Sequence, residues 1–164
     1  MKAILENDVA AHPFFCGLSE HHSRLLADCA MRTHFDAGQI IFREGESANR
    51  FYLIEKGEIA LESSGGSGLP FVIEHLGEND LLGWSWLFPP YVWHFTARAV
   101  TPTSALFFYG TILREYCEKD HTLGFELFRR MSEVMVRRLQ KARERLLSGY
   151  RDSEKHAQSP SALS

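Results

Sequence analysis

A mainly β domain with flanking helices is what this sequence predicts, and three observations carry that reading. Between residues 32 and 108, apolar runs of three to six residues recur about every ten residues and are punctuated by glycine. Before that region lies a short helical pattern opened by a capping serine, and after it a helical pattern about 30 residues long. Many short strands with closely spaced turns indicate a small sandwich or barrel rather than a parallel sheet.

Taken in order, Ile4 to Phe15 is short and mixed, and His12-Pro13 biases its neighbourhood away from helix. Ser19 is placed to cap a helix running to about Met31, with Leu25, Leu26 and Cys29 on its buried side. Ile40, Ile41 and Phe42 make the first strong strand. Phe51 to Ile54 and Ile59 to Leu61 read as two arms of a hairpin, with Gly57 supplying the positive φ of its turn. SSGGSG (Ser63 to Gly68) is a flexible hairpin tip, Phe71 to Leu76 resumes strand, and Gly77-Glu78-Asn79-Asp80 turns. Thr96 to Ala99 and Ser104 to Phe108 are the closing strands. Thr111 to Glu118 is a short helix. The long helix, from about His121 to about Tyr150, ends at Ser148-Gly149, and Arg151 to Ser164 is polar enough to be a disordered tail. One domain over 1–150 follows, with the barrel at about 32–109 and the C-terminal helices at about 111–150.

The segment Leu76 to Ala99 breaks the strand pattern. It holds all three tryptophans, Trp84, Trp86 and Trp93, together with Phe88, Tyr91 and Phe95, and Gly83 and Pro89-Pro90 interrupt it. It reads either as a shaped insert lining a cavity or as an aromatic corner of the core.

The net charge of −3 is unevenly spread: eight basic residues against Glu126, Glu133 and Glu144 give +5 from His121 to Arg151, leaving −8 elsewhere. On the long helix, Phe128, Met135, Leu139, Ala142 and Leu146 form a narrow apolar stripe suited to pairing with a copy of itself as a homodimer, or to capping the barrel.

 The longest stretch free of Asp, Glu, Lys and Arg, Leu81 to Ala97, is broken by the two prolines and falls short of the roughly 20 apolar residues of a membrane span. With no apolar N-terminal signal segment, a cytoplasmic location is expected. Cys16, Cys29 and Cys117 are widely spaced and predict neither a disulfide framework nor a thiolate metal site. The eight histidines show no His-x-His pair with a third ligand, and no nucleophile–base grouping is visible, so an enzyme is not expected.

The small helix, the glycine-punctuated strands, the aromatic insert, the short helix and the long helix together resemble the cyclic-nucleotide-binding domain. That domain is the sensor of catabolite-activator-like bacterial regulators, of protein kinase A regulatory subunits and of gated channels. The resemblance covers about Phe14 to Tyr150 and rests on Gly38, Gly45 in FREGE, Gly57 in LIEKGEIAL, Gly77, and Gly83 in ENDLLG, with VRRLQKARERL resembling the dimer helix. It implies a jelly-roll β-barrel (double-stranded β-helix) with an N-terminal helix and a long C-terminal helix. It also implies a regulatory role in signal transduction, with no cofactor beyond a cyclic nucleotide or other small-molecule effector.

The ligand motif departs from the family pattern. Where a typical member has glutamate on the ribose hydroxyl, this chain has Trp84. The arginine that pairs the phosphate falls on Trp93 or His94, and the adenine-contacting positions of the long helix correspond to Ala142 and Arg143. Each lost charged hydrogen bond is worth roughly 1.5–3 kcal/mol. Weak or absent cAMP binding is therefore expected, in a pocket formed by Gly83, Trp84, Ser85, Trp86, Trp93, His94, Phe95 and Arg98. Family transcription factors continue into a helix-turn-helix domain. Only 13 residues follow Arg151, so direct DNA binding is not expected, and the downstream partner is left open.

Overall fold

The computed structural model describes residues 2–65 and 68–157. Helices α1 (Lys2–Ala11) and α2 (Glu20–Cys29) precede eight strands: β1 (Ala30–Phe35), β2 (Ile40–Phe42), β3 (Arg50–Lys56), β4 (Ile59–Ser63), β5 (Phe71–Leu76), β6 (Leu81–Leu82), β7 (Thr96–Ala99) and β8 (Thr103–Tyr109). Helices α3 (Gly110–Lys119) and α4 (His121–Ala157) follow. The strands form two antiparallel sheets, ordered β1-β8-β3-β6 and β2-β7-β4-β5, in a jelly-roll arrangement that is not closed by hydrogen bonds into a barrel.

Alternation along each strand decides what lies between the sheets. Tyr52 and Ile54 of β3 join Ile59 and Leu61 of β4, Ala97 and Ala99 of β7, and Leu76, Leu82 and Ala105 in one buried cluster. Phe51 points to the opposite face of the first sheet, where its ring stacks on Phe108 at 4.7 Å and Phe108 meets Phe15 at 5.3 Å. Because both faces of β3 are covered, Phe51 to Ile54 are all buried and the strand reads as one apolar run.

The turn at Gly57 differs from its expected role. β3 pairs with β6 and β8, whereas β4 pairs with β5 and β7, so Gly57 carries the chain from one sheet to the other and is not a hairpin tip. Its φ is +105°, and a Cβ there would lie 2.5 Å from Thr103 Oγ1 and 2.7 Å from the Pro102 carbonyl oxygen. A tight corner and a close neighbour both require glycine. The β4–β5 hairpin is present as expected, although Gly66 and Ser67 at its tip lie outside the described residues.

Ser19 caps α2, its hydroxyl accepting from the His22 N–H at 3.2 Å. Asp120 opens α4: Oδ1 accepts from the Thr122 and Leu123 N–H groups at 3.0 and 3.1 Å, and Oδ2 lies 2.9 Å from His22 Nε2. The Leu123 N–H, and after it His22, hold the Asp120 carboxyl below its ordinary range.

The chain divides into two compact units, Met1–Leu127 and Phe128–Ser164. Helix α4 does not stop at Ser148-Gly149 but continues to Ala157, so Arg151–Ala157, expected to belong to a disordered tail, is helical. One glycine costs a helix only about 1 kcal/mol relative to alanine, too little to end a 37-residue helix. The rest of that tail, residues 158–164, lies outside the described residues.

Candidate functional site

The site is built around the turn that follows β6. Gly83 has a φ of +91°, and a Cβ added to it would come 2.7 Å from the Trp93 ring, so glycine here both makes the turn and admits the indole. Ser85–Leu87 is a single 3-10 turn; Ser85 is buried and Trp84 is half-buried.

Trp93 is 5% exposed and stacks on Phe42 with a centroid distance of 3.8 Å and an interplanar angle of 11°. Its backbone is fixed as firmly as its ring. Gly45 N–H donates to the Trp93 carbonyl at 2.8 Å, Trp93 N–H donates to the Glu46 carbonyl at 2.9 Å, and Ala48 N–H donates to the Tyr91 carbonyl at 2.7 Å. A β-bridge joins Ser47 to Val92. The aromatic insert is thereby laced onto the turn between β2 and β3, and Trp93 joins the cluster between the sheets.

Trp86 takes a separate seat. It is fully buried and stacks on Phe51 at 5.4 Å, and its Cβ would lie 2.9 Å from a Cβ placed on Gly110. The three indoles therefore do not gather around one pocket, as the sequence had suggested. Trp93 packs between the sheets, Trp86 packs with the outward-facing rings of the first sheet, and Trp84 is half-buried. The Trp86 Nε1 donor is buried without an acceptor among the described residues.

The remaining candidates are dispersed. His94 is exposed, and Phe95 is half-buried against the core. Arg98 is committed elsewhere: its Nε donates to Glu62 Oε1 at 3.0 Å and its Nη1 to the Gly38 carbonyl at 3.1 Å. Strand alternation turns it away from Ala97 and Ala99, whose side chains are in the core. Ala142 and Arg143 are exposed residues of the second unit. Among the described residues, no group of three or more His, Cys, Asp or Glu could hold a metal ion, and no helix is long and apolar enough to cross a membrane.

Sequence reasoning missed Arg114 of α3, whose guanidinium lies 4.4 Å from the Tyr91 ring centroid and whose Nη1 donates to the Trp86 carbonyl. This arginine holds the insert at two points, one on either side of Pro89-Pro90. An arginine in a short helix gives no linear signal of a contact with residues more than twenty positions earlier.

A jelly roll of two antiparallel sheets with flanking helices, and a glycine turn into a one-turn 3-10 segment, define a regulatory-domain fold. The chain belongs to the cyclic nucleotide-binding domain family, whose model matches residues 32–120. Among curated proteins, the cAMP-dependent protein kinase regulatory subunit of Eremothecium gossypii is 32% identical over 83 residues, covering 50% of this chain and 17% of that protein. This chain thus matches about a sixth of that relative's length. Among solved structures, a cyclic nucleotide-binding protein from Geobacter metallireducens superposes with a TM-score of 0.74 at 25% identity, covering 82% of this chain and 97% of that one. A cyclic nucleotide-binding domain from Methylobacillus flagellatus gives 0.75 at 16% identity, covering 90% and 83%; at that identity the likeness is one of fold.

Proposed function

We propose that this chain is a non-catalytic regulatory module of signal transduction whose nucleotide cradle is replaced by aromatic side chains, so that Trp93 and not cAMP closes it. The observation that carries this reading is the seat of Trp93, 5% exposed and stacked at 3.8 Å on Phe42. An indole there supplies no charge to a cyclic phosphate, Trp84 supplies none to a ribose, and Arg98 is held by Glu62. Gly83 and Ser85 belong to the same altered turn, while Ala142 and Arg143 match the family's base-contacting positions in sequence alone.

Calorimetry with cAMP and cGMP on the full chain tests the reading. No binding, or binding weaker than micromolar, is expected; a micromolar or tighter dissociation constant for cAMP would overturn it.

The module works as a homodimer through α4. Phe128, Leu139 and Leu146 are 50%, 70% and 66% exposed in the single chain, and Met135 and Ala142 continue the same stripe. So long an apolar line is a seam that a second copy would cover.

A sensor version differs in one respect: an apolar or aromatic effector displaces the Trp93 ring. The lacing of residues 91–93 to residues 45–48 favours it, since a displaced ring would carry that turn along. A thermal-shift screen with cyclic dinucleotides and small aromatic acids tests this version. A ligand at 100 times its dissociation constant adds about 2.7 kcal/mol of stability.

A further inference from the structure

Trp93 also forms a wall of a cleft of about 170 Å³, together with Phe42, Tyr52, Glu46, Asn49 and Arg50. That is room for roughly five or six waters, well below the roughly 300–1,000 Å³ of pockets for drug-sized ligands. A nucleotide does not fit; a molecule of a few heavy atoms does.

The charges in this cleft are unusual. Glu46 and Arg50 line the same small space, yet neither forms an ion pair with the other or with any other described residue. Each is held in place by a different partner. Glu46 Oε2 accepts from the Arg43 N–H at 3.0 Å, leaving its second oxygen. Arg50 Nε donates to Asn49 Oδ1 at 3.1 Å, its guanidinium lies 5.4 Å from the Phe107 ring centroid, and the Tyr52 hydroxyl takes up part of what remains of its donor fork. A simple anion in the cleft would face Glu46, a simple cation would face Arg50, and an uncharged molecule would leave both groups unanswered. A molecule carrying both signs answers both, and the mostly polar lining of the cleft leaves room for little apolar bulk beside them.

We infer that the cleft is a binding site for a small zwitterion, an α-amino acid with a side chain of at most a few atoms, its carboxylate on Arg50 and its ammonium on Glu46. The cleft shares the Trp93 ring with the altered cradle but takes its charges from Glu46 and Arg50, so failure of amino-acid binding would leave the cAMP result above standing.

The experiment titrates the full chain with L-alanine and L-serine while following tryptophan fluorescence, to which the Trp93 wall contributes. Acetate and ethylamine serve as single-charge controls. A saturable change with an amino acid at millimolar or lower concentration is expected, with no saturable change from either control. Arg50→Gln and Glu46→Gln lie at the surface of the cleft, and circular dichroism checks that they fold. Each should weaken binding by roughly tenfold or more. No saturable change with either amino acid in the millimolar range overturns the inference. So does acetate binding as tightly as alanine, or undiminished binding in both variants.

Discussion

Replacing Trp93 by alanine removes a ring that is 5% exposed, stacked on Phe42 and packed against Gly83. Truncation of a buried aromatic to alanine costs about 3–5 kcal/mol, of which the stacked geometry accounts for roughly 0.5–1.5 kcal/mol beyond area. For a chain of this size each kcal/mol lowers Tm by about 2–4 °C, so a fall of roughly 6–20 °C is expected. Urea unfolding followed by far-ultraviolet circular dichroism is the assay, because fluorescence changes with the loss of an indole. Coupling to Gly83 sharpens the test. Gly83→Ala suffers from its φ of +91° and from the 2.7 Å approach to the Trp93 ring. In a Trp93→Ala background only the backbone strain remains. Gly83→Ala should therefore cost about 1 kcal/mol or more less in that background than alone. A loss below about 1 kcal/mol for Trp93→Ala, or simple additivity in the cycle, would refute the placement of the ring.

Three other outcomes follow from features already described. Gly57→Ala should destabilise the fold by roughly 2–5 kcal/mol, combining left-handed strain with overpacking against Thr103 and Pro102, as read from denaturant midpoints. Leu139→Glu with Leu146→Glu should give monomers in sedimentation under conditions where the unmodified chain is dimeric; a monomeric unmodified chain at high concentration contradicts the seam. For Asp120, the folded carboxyl is held below its ordinary value, so its contribution to stability is fully present above the ordinary carboxylate range. That contribution is lost as pH falls through the ordinary value toward the depressed one. Asp120→Asn should therefore flatten the acid limb of the stability–pH curve below about pH 4; an unchanged acid limb contradicts the cap and the His22 pairing.

Much of the fold was legible because each signal was local. Ser19 announces α2, the apolar runs announce β2, β4, β5 and β7, and Gly83 marks the turn that admits Trp93. Strand β1 gave little sign of itself: in AMRTHF only Ala30 and Phe35 are buried, so its periodicity is faint. The crossing at Gly57 could be read as a turn but not as a change of sheet, because partner strands are set by pairings far apart in the chain. The parting of the tryptophans has the same origin. Only the two faces of β3, with Phe51 on one and Tyr52 on the other, decide which indole packs where. Arg98 was a candidate for a ligand because Glu62, its actual partner, lies on a neighbouring strand. Glu46, in a polar turn, and Arg50, at the start of β3, went unnoticed, since their shared cleft depends on Trp93 being laced beside them.

The Trp93 seat also sets a threshold for any effector that needs the volume the ring occupies. The indole is a tethered competitor that cannot be diluted away, and it leaves only when its burial is given up. If emptying the seat costs about 3–5 kcal/mol, the open form is populated at roughly one part in 10² to 10⁴. An effector's apparent affinity falls by that same fraction, so an intrinsically nanomolar ligand would act at about sub-micromolar to ten-micromolar concentrations. A chain built this way ignores weak relatives of its effector and answers only to a molecule that binds better than its own tryptophan.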